Sequence, residues 1–223
     1  MDMIRSISLI IPSHNDMSNL MQLLTSIPEW EIIPSEIIIV DSSDSQPLIP
    51  KDFVFFTQKL DIKILVLHEK NLYPGHARNI GINNATSHLV AFLDTSTYPT
   101  RKWLSTSLNQ MNSLKSDGIW GNTYYNADTF ASKIFRACTY GSKPIRTLPG
   151  SIFKKNVFNR CGLFIETTRA GEDGDWMSRA DLQNINMATI EEFSTYNKLN
   201  HESLSYLVKK WFRNYVYGSK LPY

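Results

Sequence analysis

Four short runs of apolar residues, most of them cut off abruptly by a proline or an acid, restrict what this chain can fold into. Residues 7–11 end at Pro12, residues 36–40 end at Asp41, residues 62–67 form a third run, and residues 88–93 end at Asp94. A strand with one wet face alternates apolar and polar residues, whereas near-continuous apolar runs belong to strands covered on both faces. Between the runs, residues 17–27 carry apolar side chains at helical spacing, and residues 77–85 are helix-compatible after the Pro74-Gly75 break. Alternating strands and helices predict an α/β fold in three layers, α/β/α, around a mostly parallel central sheet. Ligands of such sheets bind at the carboxyl ends of the strands, where Asp41 and Asp94 stand. Beyond this region the pattern predicts strands over 118–125 and 150–153, a helix beginning over 172–180 and an amphipathic helix over 201–217. No internal repeat or clear linker interrupts the chain. The expected division is a main domain over 1–195 and a C-terminal amphipathic helical extension over 196–223, which stops as abruptly as a truncated one.

A chain of 223 residues with 42% hydrophobic side chains can bury one substantial core. Its net charge of +2 is too mild for the dense basic face of a nucleic-acid binder. The basic residues Lys209, Lys210, Arg213 and Lys220 are instead interleaved with Trp211, Phe212, Tyr215 and Tyr217 near the end. Such a segment either packs on the domain or lies on an anionic membrane surface. Cys138 and Cys161 are far apart and have no metal-ligand pattern, which excludes a disulfide framework and a zinc site and fits a reducing cytoplasm. The first residues lack a signal peptide's apolar stretch, and no run is long enough to span a bilayer. The expected location is cytoplasmic, with peripheral contact at the inner face of the membrane as the alternative.

The first strand leads into Pro12-Ser13-His14-Asn15-Asp16, without the glycines of a dinucleotide-binding turn, and a Walker A loop is missing too. Phosphates must therefore be held by side chains or by a metal. The densest chemistry lies in Gly171-Glu172-Asp173-Gly174-Asp175-Trp176. Carboxylates packed this closely serve as a helix N-terminus, as metal ligands, or as a base whose pKa its neighbours adjust.

In order and spacing, Ile10-Ile11-Pro12-Ser13-His14-Asn15, Ile38-Ile39-Val40-Asp41-Ser42-Ser43, Gly75-His76-Ala77-Arg78-Asn79-Ile80-Gly81, Phe92-Leu93-Asp94-Thr95-Ser96 and Glu172-Asp173 resemble the glycosyltransferase family 2 pattern. The resemblance covers roughly the first 180 residues. It implies a GT-A fold, a nucleotide-sugar donor and inversion at the anomeric carbon. By the same resemblance, Pro12 and Ser13 wall the donor pocket, Asp41 accepts from the base, and Arg78 stacks on the base or bonds a phosphate. Asp94 holds the ribose and a divalent cation, Mn²⁺ or Mg²⁺. Asp173 is the general base, Glu172 its supporting neighbour, and Trp176 a wall for the acceptor sugar. Each has a plainer reading: Asp41 as a turn residue, Arg78 as a solvated arginine, and Glu172, Asp173 and Asp175 as acids complementing a helix dipole. Asn79 and Gly81 more naturally shape a helix entry, and Asp175 and Arg179 pair within their helix.

The departure is Ser96, which stands where the family's Asp-x-Asp motif has its second carboxylate. Asp94 and the donor diphosphate would hold a metal more weakly, with His201 resembling the C-terminal histidine that completes the shell in some relatives; a polar surface histidine is the alternative. The function implied is inverting transfer of a sugar from a nucleoside-diphosphate donor, UDP first, to a hydroxyl of a glycan or lipid-linked acceptor in surface polysaccharide synthesis. The alternative is a non-catalytic nucleotide-sugar-binding or partner subunit derived from such an enzyme. A sugar nucleotidyltransferase would need a glycine- and arginine-rich loop after the first strand, which is absent.

Overall fold

The computed structural model describes residues 6–45, 57–59, 61–201, 203–219 and 221, with only the backbone of Asn200 and His201. In chain order the elements are β1 (Ile7–Ser13), α1 (Met17–Ser26), β2 (Glu36–Asp41), β3 (Lys63–His68), α2 (Pro74–Asn84), β4 (Leu89–Phe92), β5 (Thr97–Tyr98) and α3 (Trp103–Leu114). There follow β6 (Gly118–Tyr125), α4 (Phe130–Thr139), β7 (Ile145–Lys154), α5 (Val157–Cys161), α6 (Glu172–Leu182), β8 (Met187–Thr189), β9 (Ser194–Tyr196) and α7 (Leu204–Gly218).

One sheet of nine strands runs β3-β2-β1-β4-β7-β6-β9-β5, with β8 paired to β6. The four apolar runs form its parallel half: β1 lies between β2 and β4, and β3 continues beyond β2. β7 joins β4 and β6 antiparallel, while β8 and β9 pair parallel with β6. Strand order reverses at β1, so the connections leave β1 and β4 in opposite directions and open a crevice at their carboxyl ends.

Successive side chains of a strand point to opposite faces, and both faces are covered. Leu9 and Ile11 of β1 with Ile37 and Ile39 of β2 pack on one side against Leu20, Leu23 and Leu24 of α1 and Trp103, Leu104 and Leu108 of α3. Ile10, Ile38, Val40, Val90 and Phe92 pack on the other against Ala77 and Ile82 of α2, Phe158 of α5 and Trp176 of α6. Each such side chain contributes roughly 1.5–3 kcal/mol by leaving water, which is why β1, β2 and β4 tolerate almost no polar residue. β3, at the sheet's edge, is only half-buried.

The later half departs from the sequence reading in detail. The strand expected over 150–153 starts earlier, at Ile145, and the helices Trp103–Leu114 and Phe130–Thr139 were not expected. The second of these begins at a capping box between Thr129 and Ser132. The expected division after residue 195 falls inside β9. α7 docks through buried Leu207 against Phe135 and Leu199, leaving Val208, Trp211, Phe212 and Tyr215 exposed. Among the described residues no helix is long and apolar enough to cross a membrane.

Candidate active site

A cleft of about 580 Å³ opens where the topology reverses. Pro12 and Ser13 line it from the end of β1, Asp94, Thr95 and Ser96 from the turn after β4, Arg78 from α2, and Glu172 and Asp173 from the first turn of α6. Seven of the residues singled out in the sequence thus converge from four separate segments.

Arg78 organises the group. Its guanidinium, 5% exposed, bonds Glu172 Oε1 at 2.5 Å through Nη1 and Asp94 Oδ1 at 3.0 Å through Nη2. Burial opposes its charge, but Asp94, Glu172 and Asp173 raise its pKa above the ordinary arginine value. It is neither a solvated arginine nor open to stacking on a base. Glu172 is buried as well; burial raises its carboxyl above the usual glutamate value, against the pull of Arg78 and with the help of Asp173's charge. Close packing makes this contact: a Cβ on Gly75 would lie 2.2 Å from the Ile165 carbonyl oxygen and 3.3 Å from Glu172 Cβ. Only glycine lets α2 approach the loop around Ile165, which leads into α6, so closely. Asn79 pins the same loop, donating to the Phe164 carbonyl and to Glu166 while accepting from the Phe164 N–H, each at 2.9 Å.

Asp173 is half-exposed in the cleft, with Oδ1 accepting from Gly174 N–H at 2.9 Å. Gly171, at φ 89°, turns the chain into α6 and aims its acidic first turn at the cleft. Asp175 lies behind, buried and paired with Arg179 at 2.7 Å.

Two expected residues stand elsewhere, and a third is not described. Trp176 does not wall the acceptor site: it is 0% exposed, packed against Trp120, Phe153, Phe158 and Phe164, and its Nε1 donates to the Gly162 carbonyl. A fully buried indole has no face to offer a sugar. Asp41 sits behind the cleft wall, 1% exposed, accepting from Ser43 N–H, Ser43 Oγ and His68 Nδ1; the wall itself there is Ser42 and His14. The His201 side chain lies outside the described residues.

The cleft also holds residues the sequence reading passed over. Asp16, just before α1, receives on Oδ2 the hydroxyls of Thr95 at 2.7 Å and Ser96 at 3.2 Å and the ammonium of Lys198 at 3.0 Å. Burial would raise its carboxyl, but the Thr95 and Lys198 bonds and the lysine's charge bring it below the ordinary aspartate value. Tyr206, Lys210, Arg213 and Asn214 of α7 close the far side with Tyr196. Their spacing of i, i+4, i+7 and i+8 puts them on one helix face, a stripe the sequence contains but does not orient.

The donor set suits a tightly held divalent ion poorly. Asp94 is paired with Arg78, Asp16 with Lys198, and Ser96 gives its hydroxyl to Asp16. Among the described residues no three His, Cys, Asp or Glu side chains gather to hold a metal.

Residues 8–165 match the family model for glycosyl transferase family 2. The chain is similar to the glycosyltransferase AglE of Haloferax volcanii, 28% identical over 166 residues, which are 71% of this chain and 52% of that protein. It is similar to the pre-mycofactocin glycosyltransferase of Mycobacterium tuberculosis, 35% identical over 104 residues, 47% of this chain and 20% of that protein. The chain therefore spans about half the length of the first relative and a fifth of the second. Among solved structures, S. aureus TarS 1–349 in complex with UDP-GlcNAc superposes with a TM-score of 0.65 at 18% identity, over 90% of this chain and 60% of that one. The mannosyltransferase PcManGT from Pyrobaculum calidifontis, in complex with GDP-Man and Mn²⁺, superposes with a TM-score of 0.59 at 16% identity, over 85% of this chain and 56% of that one. These likenesses carry the GT-A fold expected from the sequence. With its order of strands and a family match that covers well over half its length, the chain belongs to glycosyl transferase family 2.

Proposed function

We propose that the protein transfers a sugar, with inversion, from a nucleoside-diphosphate donor to an acceptor hydroxyl. The observation that carries the reading is the cleft at the topological reversal, where Asp94, Glu172 and Asp173 meet around Arg78. Inverting transfer asks for one carboxylate to take the proton of the attacking hydroxyl and for positive charge to meet the departing diphosphate. Asp173 takes the first role: it is half-exposed, and Gly174 N–H holds its carboxylate in place. Glu172 and Arg78 form the buried support behind it. The nucleotide enters along Pro12, Ser13 and Ser42, and its ribose lies by Asp94.

UDP is the first nucleotide to test, since TarS was solved with UDP-GlcNAc; GDP is the second, since PcManGT was solved with GDP-Man. A glycan or lipid-linked acceptor in surface polysaccharide synthesis fits an open cleft rimmed by Tyr73, Tyr196 and Tyr206. Contact with an anionic membrane would rest on Val208, Trp211, Phe212 and Tyr215 of α7. A divalent cation, where one is recruited, has Asp94 and the donor's own diphosphate as its ligands.

The test is a panel of UDP- and GDP-sugars monitored for release of the nucleoside diphosphate, on wild type and Asp173→Asn. The substitution is expected to lower turnover at least 100-fold, within the range of a lost general base, with donor binding within twofold of wild type. Turnover that survives the substitution would remove Asp173 from the chemistry. Donor binding without turnover in the wild type, across the panel, would make the protein a non-catalytic binding subunit.

A further inference from the structure

We infer that the donor's diphosphate is received by side-chain cations, Lys198 with Lys210 and Arg213, so that binding does not need a divalent ion. The inference rests on the nucleotide-sugar reading above and specifies how that site meets the phosphates.

It starts from the triplet Asp94-Thr95-Ser96. The hydroxyl of Ser96 is turned to Asp16 Oδ2, and the same oxygen receives the Lys198 ammonium at 3.0 Å. A positive charge therefore stands beside the position where a second metal-binding carboxylate would be. The only carboxylate of the triplet, Asp94, is bonded by Arg78. An arriving divalent ion would meet two carboxylates already neutralised and two cations already in place, which is repulsion rather than a site.

The same arrangement suits an anion. Among the described residues five cationic side chains line the cleft against four carboxylates, and Arg78 is shared by two of those acids. Of an ammonium's three donors, Asp16 takes one from Lys198. Across from it, Lys210 and Arg213 are three residues apart on the face of α7 that borders the cleft. Lys210 Nζ is 5.5 Å over the Tyr196 ring and 3.4 Å from its hydroxyl. Arg213 is half-buried, its Nη2 is 3.4 Å from Asn214 Oδ1, and its Nε has no hydrogen-bond partner among the described residues. A diphosphate between β4's turn and α7 would offer all three cations charged oxygens in addition to the partners they already have, and would match the charge that builds on the leaving group.

Calorimetric titration of the full chain with UDP, in chelator and again in Mn²⁺, tests this, with uridine as the probe lacking phosphates. UDP dissociation constants within about threefold of each other are expected in the two buffers. Lys198→Met and the pair Lys210→Ala/Arg213→Ala are each expected to weaken UDP at least tenfold, leaving uridine unchanged. Lys198→Arg, which keeps the charge, should bind UDP within about threefold of wild type; unchanged uridine binding shows that each variant is folded. UDP binding that requires Mn²⁺ and ignores these substitutions would overturn the inference and leave the nucleotide-sugar reading standing. If neither UDP nor GDP binds in either buffer, both fall together.

Discussion

Replacing Arg78 with methionine removes a charge that faces both Glu172 and Asp94, and the cost can be worked out from their exposure. Asp94 is 38% exposed, so water screens it once Arg78 is gone and its share is small. Glu172 is 6% exposed and cannot be rehydrated without opening the contact between α2 and α6. Breaking a buried ion pair on one side typically costs about 3–5 kcal/mol, but protonation sets a ceiling. From the unfolded carboxyl's 4.5 to pH 7 is about 2.5 units at 1.36 kcal/mol each, hence at most about 3.4 kcal/mol. The wild type already bears part of this, because burial raises Glu172 even beside Arg78. The sign follows from proton binding: a folded state whose carboxyl pKa is raised binds more protons than the unfolded chain above pH 4.5, so stability is lost as pH rises. The deficit of Arg78→Met against wild type should be below about 1 kcal/mol at pH 5 and grow by up to about 1.4 kcal/mol per pH unit towards pH 7. Urea unfolding at pH 5, 6 and 7 reads this directly. Adding Glu172→Gln to Arg78→Met should flatten the pH dependence. A deficit independent of pH, or one the glutamine leaves untouched, would mean that Arg78 stabilises the fold through its packing on Phe164 and not through charge.

The remaining outcomes concern packing around the same cleft. Trp176→Ala empties the centre of the aromatic cluster and should cost about 3–5 kcal/mol in urea unfolding, while leaving the acceptor KM of the surviving folded protein unchanged; a selective rise in KM would return the indole to the acceptor site. Gly75→Ala puts a methyl 2.2 Å from the Ile165 carbonyl oxygen, and the shift it forces should cost about 1–3 kcal/mol with a fall in turnover. A neutral result in both assays would show that the packing of α2 on the loop before α6 does not depend on that contact.

The parallel half of the sheet was legible because burial on both faces leaves a local mark: residues 7–11, 36–40 and 88–93 could scarcely be anything but central strands, and Asp94 then follows at the end of β4. The antiparallel half was harder to read. β8 and β9 are three residues each, too short for a period to show. Trp176 was misplaced by its nearness in sequence to Asp173. The buried stripe of α6 is Glu172, Asp175, Trp176 and Ala180, and only the helix's first turn reaches the cleft. Trp176 lies one turn below Glu172, and helical geometry carries it into the core.

The charge arrangement of the cleft follows a different logic from the strands. Arg78 and Glu172 are 94 residues apart in sequence, and Lys198 and Asp16 are 182 apart. No local pattern encodes such a pair, because each partner alone reads as an ordinary surface charge. What makes the pairs specific is the strand order: β1 and β4 are neighbours, so the segment after β1 and the turn after β4 face each other, and Asp16 must meet Thr95 and Ser96. Ser96 and Lys198 fit together at Asp16, since an aspartate at position 96 would face Asp16 and invite a cation, whereas the serine donates to Asp16 and the lysine supplies the charge. The basic stripe of α7 gains its meaning the same way. Leu207, seated against Phe135 and Leu199, fixes the rotation of the helix, and that rotation turns Lys210 and Arg213 towards the cleft rather than to bulk water.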